Sequence, residues 1–277
     1  MKIGFIGTGS MGSILIESLI CSGALSPQNI AASNRTYAKA AKLAEAYPGL
    51  VAAPSNIEVV RNRDIIFLCV KPAEYKQVLD EIRDQLTASQ IVVSITSPVQ
   101  ICQLEDQLPC KVAKVIPSIT NFVRSGATLC IFGGRIEEAD KTALENLLAS
   151  ISTPIRVTEN FTRIISDISS CGPAFLAFLL QQFAEAAVAE TGIARETAIR
   201  LACETALGTG KLLTEGGFTP ETLQARVCVP GGITAEGLDV LSRQTGNVFR
   251  DVIRATHAKY AEDLIRVDAM FNGRKIE

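Results

Sequence analysis

The hexapeptide Gly7-Thr8-Gly9-Ser10-Met11-Gly12 limits what this chain can fold into more than any other feature of it. The spacing G-x-G-x-x-G says little by itself. Here it directly follows the apolar run at residues 2–6 and opens a stretch, residues 10–25, whose apolar positions Met11, Ile14, Leu15, Leu19 and Ile20 recur at helical spacing. A strand that turns through glycines into a helix is the context in which the pattern binds a dinucleotide. Gly7 permits the tight turn, Gly9 lets backbone approach a pyrophosphate, and Gly12 lets the helix pack against the strand. The pyrophosphate then meets the free N–H groups at the positive end of the helix.

The alternation continues. Residues 29–33, 64–70, 90–96, 111–116, 126–132 and 154–158 read as strands, with helices at 37–47, 73–86, 99–108 and 137–151 between them. Residues 64–70 are almost unbroken apolar sequence, as expected of a strand covered on both faces. Strands alternating with helices imply an α/β, doubly wound parallel sheet. After about residue 160 strand patterns stop. Helices are expected at 173–190, 194–213, 220–227, 235–244 and 248–267, giving an all-α second domain. Residues 173–189 are apolar almost all round, so that helix should be buried, either within its own domain or against a second subunit. The small size of the helical half favours the subunit interface.

The end of the second strand selects the cofactor. Chains that prefer NAD place Asp or Glu there for the ribose 2′-hydroxyl. This chain has Ser33-Asn34-Arg35-Thr36, and no carboxylate occurs between Leu25 and Leu43. Arg35 can grip a 2′-phosphate bidentately, with the Ser33 and Thr36 hydroxyls adding hydrogen bonds, so NADP(H) is expected over NAD(H).

Other classes are disfavoured. The formal net charge is −2 and the sequence pI about 5.7, with no basic patch to bind nucleic acid and no polybasic segment for a membrane surface. Residues 168–183, the longest weakly charged stretch, read as too short and too interrupted by Gly172 and Pro173 for a membrane span. The first residues lack the layout of a signal peptide, so a cytoplasmic location is expected. The eight cysteines include no CxxC, and His257 is the sole histidine, which reads as buried thiols without a zinc site. A single histidine and no G-x-S-x-G leave little scope for a hydrolase triad, and His257 reads as a surface or interface residue.

Five segments carry a family resemblance: the glycine loop, Ser33-Asn34-Arg35, Phe67-Leu68-Cys69-Val70-Lys71-Pro72, Cys171-Gly172-Pro173-Ala174-Phe175 and Pro230-Gly231-Gly232. In that order, over essentially the whole chain, they resemble the pyrroline-5-carboxylate reductases. The resemblance implies an N-terminal Rossmann domain, residues 1–159, and a C-terminal helical dimerisation domain, residues 160–277. It implies hydride reduction of a cyclic imine, pyrroline-5-carboxylate to L-proline, by NAD(P)H, in a homodimer or higher homo-oligomer whose active site lies where the cofactor meets the helical domain. It adds Asn56 to the adenosine side of the cofactor and Val70, Lys71 and Pro72 to its crevice.

Hydride transfer to an imine that enters already protonated needs few acids; the protein has to hold a carboxylate and aim the ring. Gly231, Gly232, Ile233 and Thr234 suit the first task, with backbone N–H groups at a helix start and the Thr234 hydroxyl beside them. An ordinary glycine turn between helices is the alternative. Lys71, ending an inner strand, can attract the substrate carboxylate or touch the cofactor; a solvated strand end is the alternative there. Thr234 and Lys71 are the candidate catalytic residues.

The chain departs from the family at several places. Ile116-Pro117-Ser118-Ile119-Thr120 stands where the family has Met-Pro-Asn-Thr-Pro, Ser170-Cys171-Gly172-Pro173 where it has Gly-Ser-Gly-Pro, and Cys228-Val229-Pro230-Gly231-Gly232 where it has Thr-Ser-Pro-Gly-Gly. Ser118 and Val229 therefore join the candidate substrate-binding residues in altered form. Losing one hydrogen bond to a charged ligand costs about 1.5–3 kcal/mol, or roughly tenfold or more in affinity. In these replacements the chain resembles the ComER-type late-competence proteins of spore-forming bacteria, associated with regulation, so an NADP-binding regulatory dimer is the rival reading. A β-hydroxyacid dehydrogenase would carry a Lys in the first long helix after the sheet, and residues 175–188 contain neither Lys nor Arg.

Overall fold

The computed structural model describes residues 1–272; residues 273–277, the end of the expected helical domain, lie outside the described residues. The chain forms two compact units.

The first unit comprises Met1–Cys171 together with residues from Thr256 onward. In chain order it runs β1 (Ile3–Ile6), α1 (Ser10–Cys21), β2 (Ile30–Ser33), α2 (Tyr37–Ala46), β3 (Val51–Ala52), α3 (Asn56–Val60), β4 (Ile65–Leu68), α4 (Tyr75–Ile82), β5 (Ile91–Ser94), α5 (Ile101–Gln107), β6 (Lys111–Ile116), β7 (Ala127–Phe132), α6 (Glu138–Ala149), β8 (Thr153–Arg156) and α7 (Thr162–Ser166). A π turn, Asp167–Cys171, follows. The sheet order is β3-β2-β1-β4-β5-β6-β7-β8. The chain winds outward from β1 to β3, then returns to β4 on the other side of β1. That reversal opens a crevice outside the carboxyl ends of β1 and β4, where this architecture binds ligands.

Both faces of the sheet's inner strands are buried, as period-2 strands between two helical layers require, while the edge strands β3 and β8 are largely exposed. Ile3 and Phe5 of β1 and Ile65 and Phe67 of β4 point to one layer, with Leu15, Ile16 and Leu19 of α1. Ile6, Ile66 and Leu68 point to the other, with Val78, Leu79 and Ile82 of α4. Phe5 and Phe67 stack across the strands with ring centroids 5.0 Å apart. Val267, near the end of the last helix and 3% exposed, also packs in this second layer. Residues 160–171 and 256–272 are thus part of the sheet-bearing unit.

The sheet is not wholly parallel as expected. β7 pairs antiparallel with β6, and β8 then runs parallel to β7. The cause is the short connection: residues 117–126 hold only a 3-10 turn, and a parallel return needs a crossover of about a dozen residues or more. Asn121, fully buried, holds the reversal; its Oδ1 accepts from Ser118 N at 2.9 Å and from Thr128 Oγ1 at 3.3 Å. Three elements were not anticipated. β3 has 2 residues, and α3 and α7 have 5 each, too short to show a period. The α3 start is nonetheless written locally, because Ser55 Oγ caps it by accepting from Glu58 N at 3.3 Å.

One ion pair in this unit joins a fully buried lysine to a carboxylate that is 30% exposed. Lys114, on β6 and 0% exposed, bonds to the Glu159 carboxylate, which also accepts from Ile101 N at 3.0 Å. Lys114 Nζ donates further to Ser97 O at 3.3 Å. Desolvation lowers the lysine pKa, and Glu159 opposes that shift.

The second unit, Gly172–Ala255, is all helical. It contains α8 (Gly172–Thr191), α9 (Arg195–Thr214), α10 (Pro220–Val227), α11 (Ile233–Thr245) and the first part of α12 (Val248–Phe271). Thr219 caps α10 through Thr222 N, with Pro220 at the first helical position. α8 packs on α9, yet of its own residues only Gly172 and Ala184 are buried. Leu176, Phe178, Leu179 and Phe183 stay exposed. Burial of α8 within its own domain, one of the two expectations for it, therefore does not hold.

Nor do Gly172 and Pro173 interrupt the helix. Pro173 lies inside a continuous helical run just after the π turn, and the Ser169 carbonyl four residues before it accepts from Ser118 Oγ at 2.9 Å in place of the missing N–H. The helical run Glu159–Thr191 is consequently long and apolar enough to cross a membrane by length and composition alone, where residues 168–183 read as too short.

Candidate functional site

The glycine loop forms the floor of a cleft of about 440 Å³ in the first unit. Gly7 sits at φ +101°, and a Cβ there would lie 2.5 Å from Cys69 O, so no other residue fits. Its N–H donates to Ser33 O at 2.9 Å, tying the ends of β1 and β2 together. A Cβ on Gly12 would stand 2.2 Å from Gly7 O, so α1 can approach the turn only because that side chain is missing. A Cβ on Gly9 would meet nothing within 4 Å and would instead occupy the space of the cleft. Gly9 caps α1 without a side chain, and the first turn carries no acid. The N–H groups that open α1 are thus left for an anion. A dinucleotide pyrophosphate fits this geometry.

Neighbouring side chains stiffen the loop. Thr8, 5% exposed, accepts from Asn34 Nδ2 at 2.9 Å, and Asn34 Oδ1 accepts from Thr36 N at 2.9 Å. Ser10 and Met11 begin α1. At the ribose end of the cleft lie Ser33, Arg35, Thr36 and Asn56. Ser33 is buried and donates its hydroxyl to Asn56 Oδ1 at 2.7 Å, so its proton goes to the fold while Thr36 remains at the rim. Asn56 in turn donates to Glu81 Oε2 at 2.6 Å. Arg35 Nη1 meets Glu74 Oε1 at 2.8 Å.

Three charged lining residues went unnoticed in the sequence: Lys39, Glu74 and Glu81. Lys39 had a local signal, a cation in the first turn of the helix after β2. The two glutamates had none, because they reach the cleft from the far side of β1.

Val70 and Lys71 line the cleft where β4 ends, and Pro72 opens the 3-10 turn that follows. Lys71 is exposed, and its N–H donates to Glu74 Oε2 at 3.2 Å. Cys69 is held neutral, its thiol pKa raised by desolvation.

The substrate candidates fall in both units. Val229, Gly231, Gly232, Ile233 and Thr234 lie in the second. Gly231 adopts φ +72°, and Gly232 N closes the turn onto Val229 O at 2.9 Å. Gly232 then caps α11 with no side chain, leaving the Ile233 and Thr234 N–H groups without a protein acceptor among the described residues. Val229 and Ile233 are 61% and 94% exposed, so the turn carries an apolar rim. Ser118 lies in the first unit, 1% exposed, where its hydroxyl donates to Ser169 O at 2.9 Å.

His257, expected without a partner, has one: Nε2 lies 3.5 Å from Asp167 Oδ2. Asp167, on the π turn, also accepts from Arg163 Nη2 at 2.8 Å and from Thr256 Oγ1 at 2.8 Å.

A parallel-sheet crevice, a three-glycine turn and a cation at the ribose end define an oxidoreductase built to carry NADP(H). The comparisons with known proteins agree. Residues 2–98 match the family model described as NADP oxidoreductase, coenzyme F420-dependent, and residues 159–263 match pyrroline-5-carboxylate reductase dimerisation. The chain is 43% identical over 272 residues to ComE operon protein 4 of Bacillus subtilis, covering 98% of this chain and 100% of that protein. It is 34% identical over 242 residues to a pyrroline-5-carboxylate reductase of Methanosarcina acetivorans, covering 87% and 89%. Its fold matches a crystal structure of Plasmodium falciparum pyrroline carboxylate reductase with NADP bound, at TM-score 0.80 and 25% identity over 98% of each chain. The chain belongs to the pyrroline-5-carboxylate reductase family.

Proposed function

We propose that this chain is an NADPH-dependent reductase of a cyclic imine bearing a carboxylate, converting pyrroline-5-carboxylate to L-proline as a homodimer. The observation that carries the reading is the Pro230-Gly231-Gly232 turn. It bares the Ile233 and Thr234 N–H groups at the start of α11, as a small carboxylate requires.

Bound NADPH supplies a hydride to the C=N carbon. The chain's own residues do the rest. The N–H groups at the start of α1 hold the pyrophosphate, and Arg35 holds the 2′-phosphate. The turn of Gly231 and Gly232 presents the Ile233 and Thr234 N–H groups to the substrate carboxylate, with the Thr234 hydroxyl as a further donor. Lys71, exposed at the cleft, draws the anion in. The imine brings its own proton, so catalysis is chiefly positioning. Ser118, whose hydroxyl is used on Ser169 O, shapes the loop after β6 rather than binding substrate through that group. The uncovered Leu176, Phe178, Leu179 and Phe183 support a second copy seated on α8. Eight free thiols support a reducing, cytoplasmic setting.

The test is NADPH absorbance with purified protein and racemic pyrroline-5-carboxylate, with NADH in parallel. Turnover is expected, faster with NADPH. Tight NADPH binding without turnover would favour the second reading, a regulatory NADP-binding dimer. Two observations speak for that reading: the 43% identity to ComE operon protein 4, and Val229 where the resemblance calls for a serine hydroxyl. Restoring the hydroxyl with Val229→Ser is expected to raise kcat/KM by about tenfold or more. An unchanged kcat/KM would rule out the missing hydroxyl as the limit on activity.

A further inference from the structure

We propose that Glu74 is a built-in competitor for Arg35, which weakens binding of the 2′-phosphate and sets how strongly the chain prefers NADP(H) to NAD(H). The proposal rests on the cofactor reading above and adds a residue whose effect on selectivity runs opposite to that of Arg35.

Arg35 follows β2 and Glu74 follows β4, the two strands that flank β1 in the sheet. Their ion pair, 2.8 Å between Nη1 and Oε1, therefore joins the loops on either side of the glycine turn, and both residues line the same cleft. Glu74 cannot simply swing out. Its other oxygen accepts from Lys71 N at 3.2 Å, which anchors the carboxylate to the main chain at the start of its own turn. Arg35 is the less confined partner, its side chain 88% exposed against 34% for Glu74.

A 2′-phosphate carries about −1.5 to −2 charges at neutral pH. To bond Arg35 it must either displace Glu74 or sit beside a fixed carboxylate, and both routes weaken its binding. A dinucleotide with a plain 2′-hydroxyl leaves the ion pair intact. Lys39, in the first turn of α2 and lining the same end, is the cation that shares the phosphate once it arrives. Glu74 thus penalises NADP(H) and is indifferent to NAD(H).

The variant Glu74→Gln removes the charge and keeps an oxygen for Lys71 N–H. Calorimetric titration with 2′,5′-ADP and with 5′-AMP isolates the phosphate from the nicotinamide and from catalysis. Glu74→Gln is expected to tighten 2′,5′-ADP by about two- to fivefold, the range of an exposed ion pair, and to leave 5′-AMP unchanged. Glu74→Lys should go further, by about tenfold, with the gain shrinking at high salt. A weakened 2′,5′-ADP complex, or equal shifts for both nucleotides, in variants that melt like the parent would overturn the proposal. If the unaltered protein binds neither NADPH nor 2′,5′-ADP, the cofactor reading falls first and takes this one with it.

Discussion

The two cradles of this chain are both made of glycines at the start of a helix, and they are built in opposite ways. In the first unit Gly7 and Gly12 are wedged against Cys69 and against each other, so a side chain at either position would force the main chain apart. In the second unit a Cβ on Gly231 would meet nothing within 4 Å, and Ile233 beside it is 94% exposed. The first cradle is completed by its own sheet. The second offers donors and an apolar rim, and its remaining walls are not supplied by the unit that carries it. A tightly packed pyrophosphate cradle and an open second cradle, proposed above for a substrate carboxylate, suit a protein that holds one cofactor type and admits a small substrate.

The sharpest way to break this contrast is to put a methyl group in each cradle. Gly12→Ala is expected to cost about 3 kcal/mol, because a main-chain oxygen cannot give way, and to abolish NADPH binding. Gly231→Ala should cost only about 1 kcal/mol, the strain of a left-handed alanine in open space. Thermal melting of the two variants checks the pair. Equal losses would mean that the second cradle is as tightly packed as the first.

Alkali separates the units next. Burial pushes the Cys110 thiol up from 9.0 to about 11 and that of Cys130 up to about 12. A group whose folded pKa is raised stays neutral in the fold while the unfolded chain ionises. The stability it lends is intact below the unfolded pKa and is lost as pH climbs toward the folded one. Between pH 9 and 11 each such thiol should therefore cost the first unit about 2–3 kcal/mol. Denaturant midpoints measured across that window test it, and Cys110→Ala should flatten the slope.

The smallest effect concerns the ribose end. Arg35→Asp should weaken NADPH by about tenfold and barely touch NADH. Equal losses for both in a binding titration would detach Arg35 from the 2′-phosphate.

What could be read from the sequence follows the range of the interactions. The glycine loop was legible because strand, turn and helix are adjacent, and each glycine answers to a neighbour within a few residues. The absence of a carboxylate near Arg35 was legible for the same reason. The partner of Arg35 was not, since Glu74 arrives from 39 residues away over the intervening strand. The direction of β7 was hidden because an alternating pattern reads the same both ways along a strand; only the length of the connection before it betrays the turn. Ser118 read as a candidate substrate-binding residue, and its hydroxyl donates to Ser169 O, 51 residues on. His257 read as solitary and meets Asp167 through a fold that brings the last helix back to the sheet.

The pair of buried Lys114 and half-exposed Glu159 has a consequence for how this chain can vary. Losing Glu159 alone strands the Lys114 charge in the interior, at about 3–5 kcal/mol, whereas losing Lys114 leaves a carboxylate that still reaches solvent and costs less. Lineages carrying this pair are therefore confined by epistasis. Position 159 is closed to drift until position 114 has already moved, so exchange of the pair runs through the lysine first.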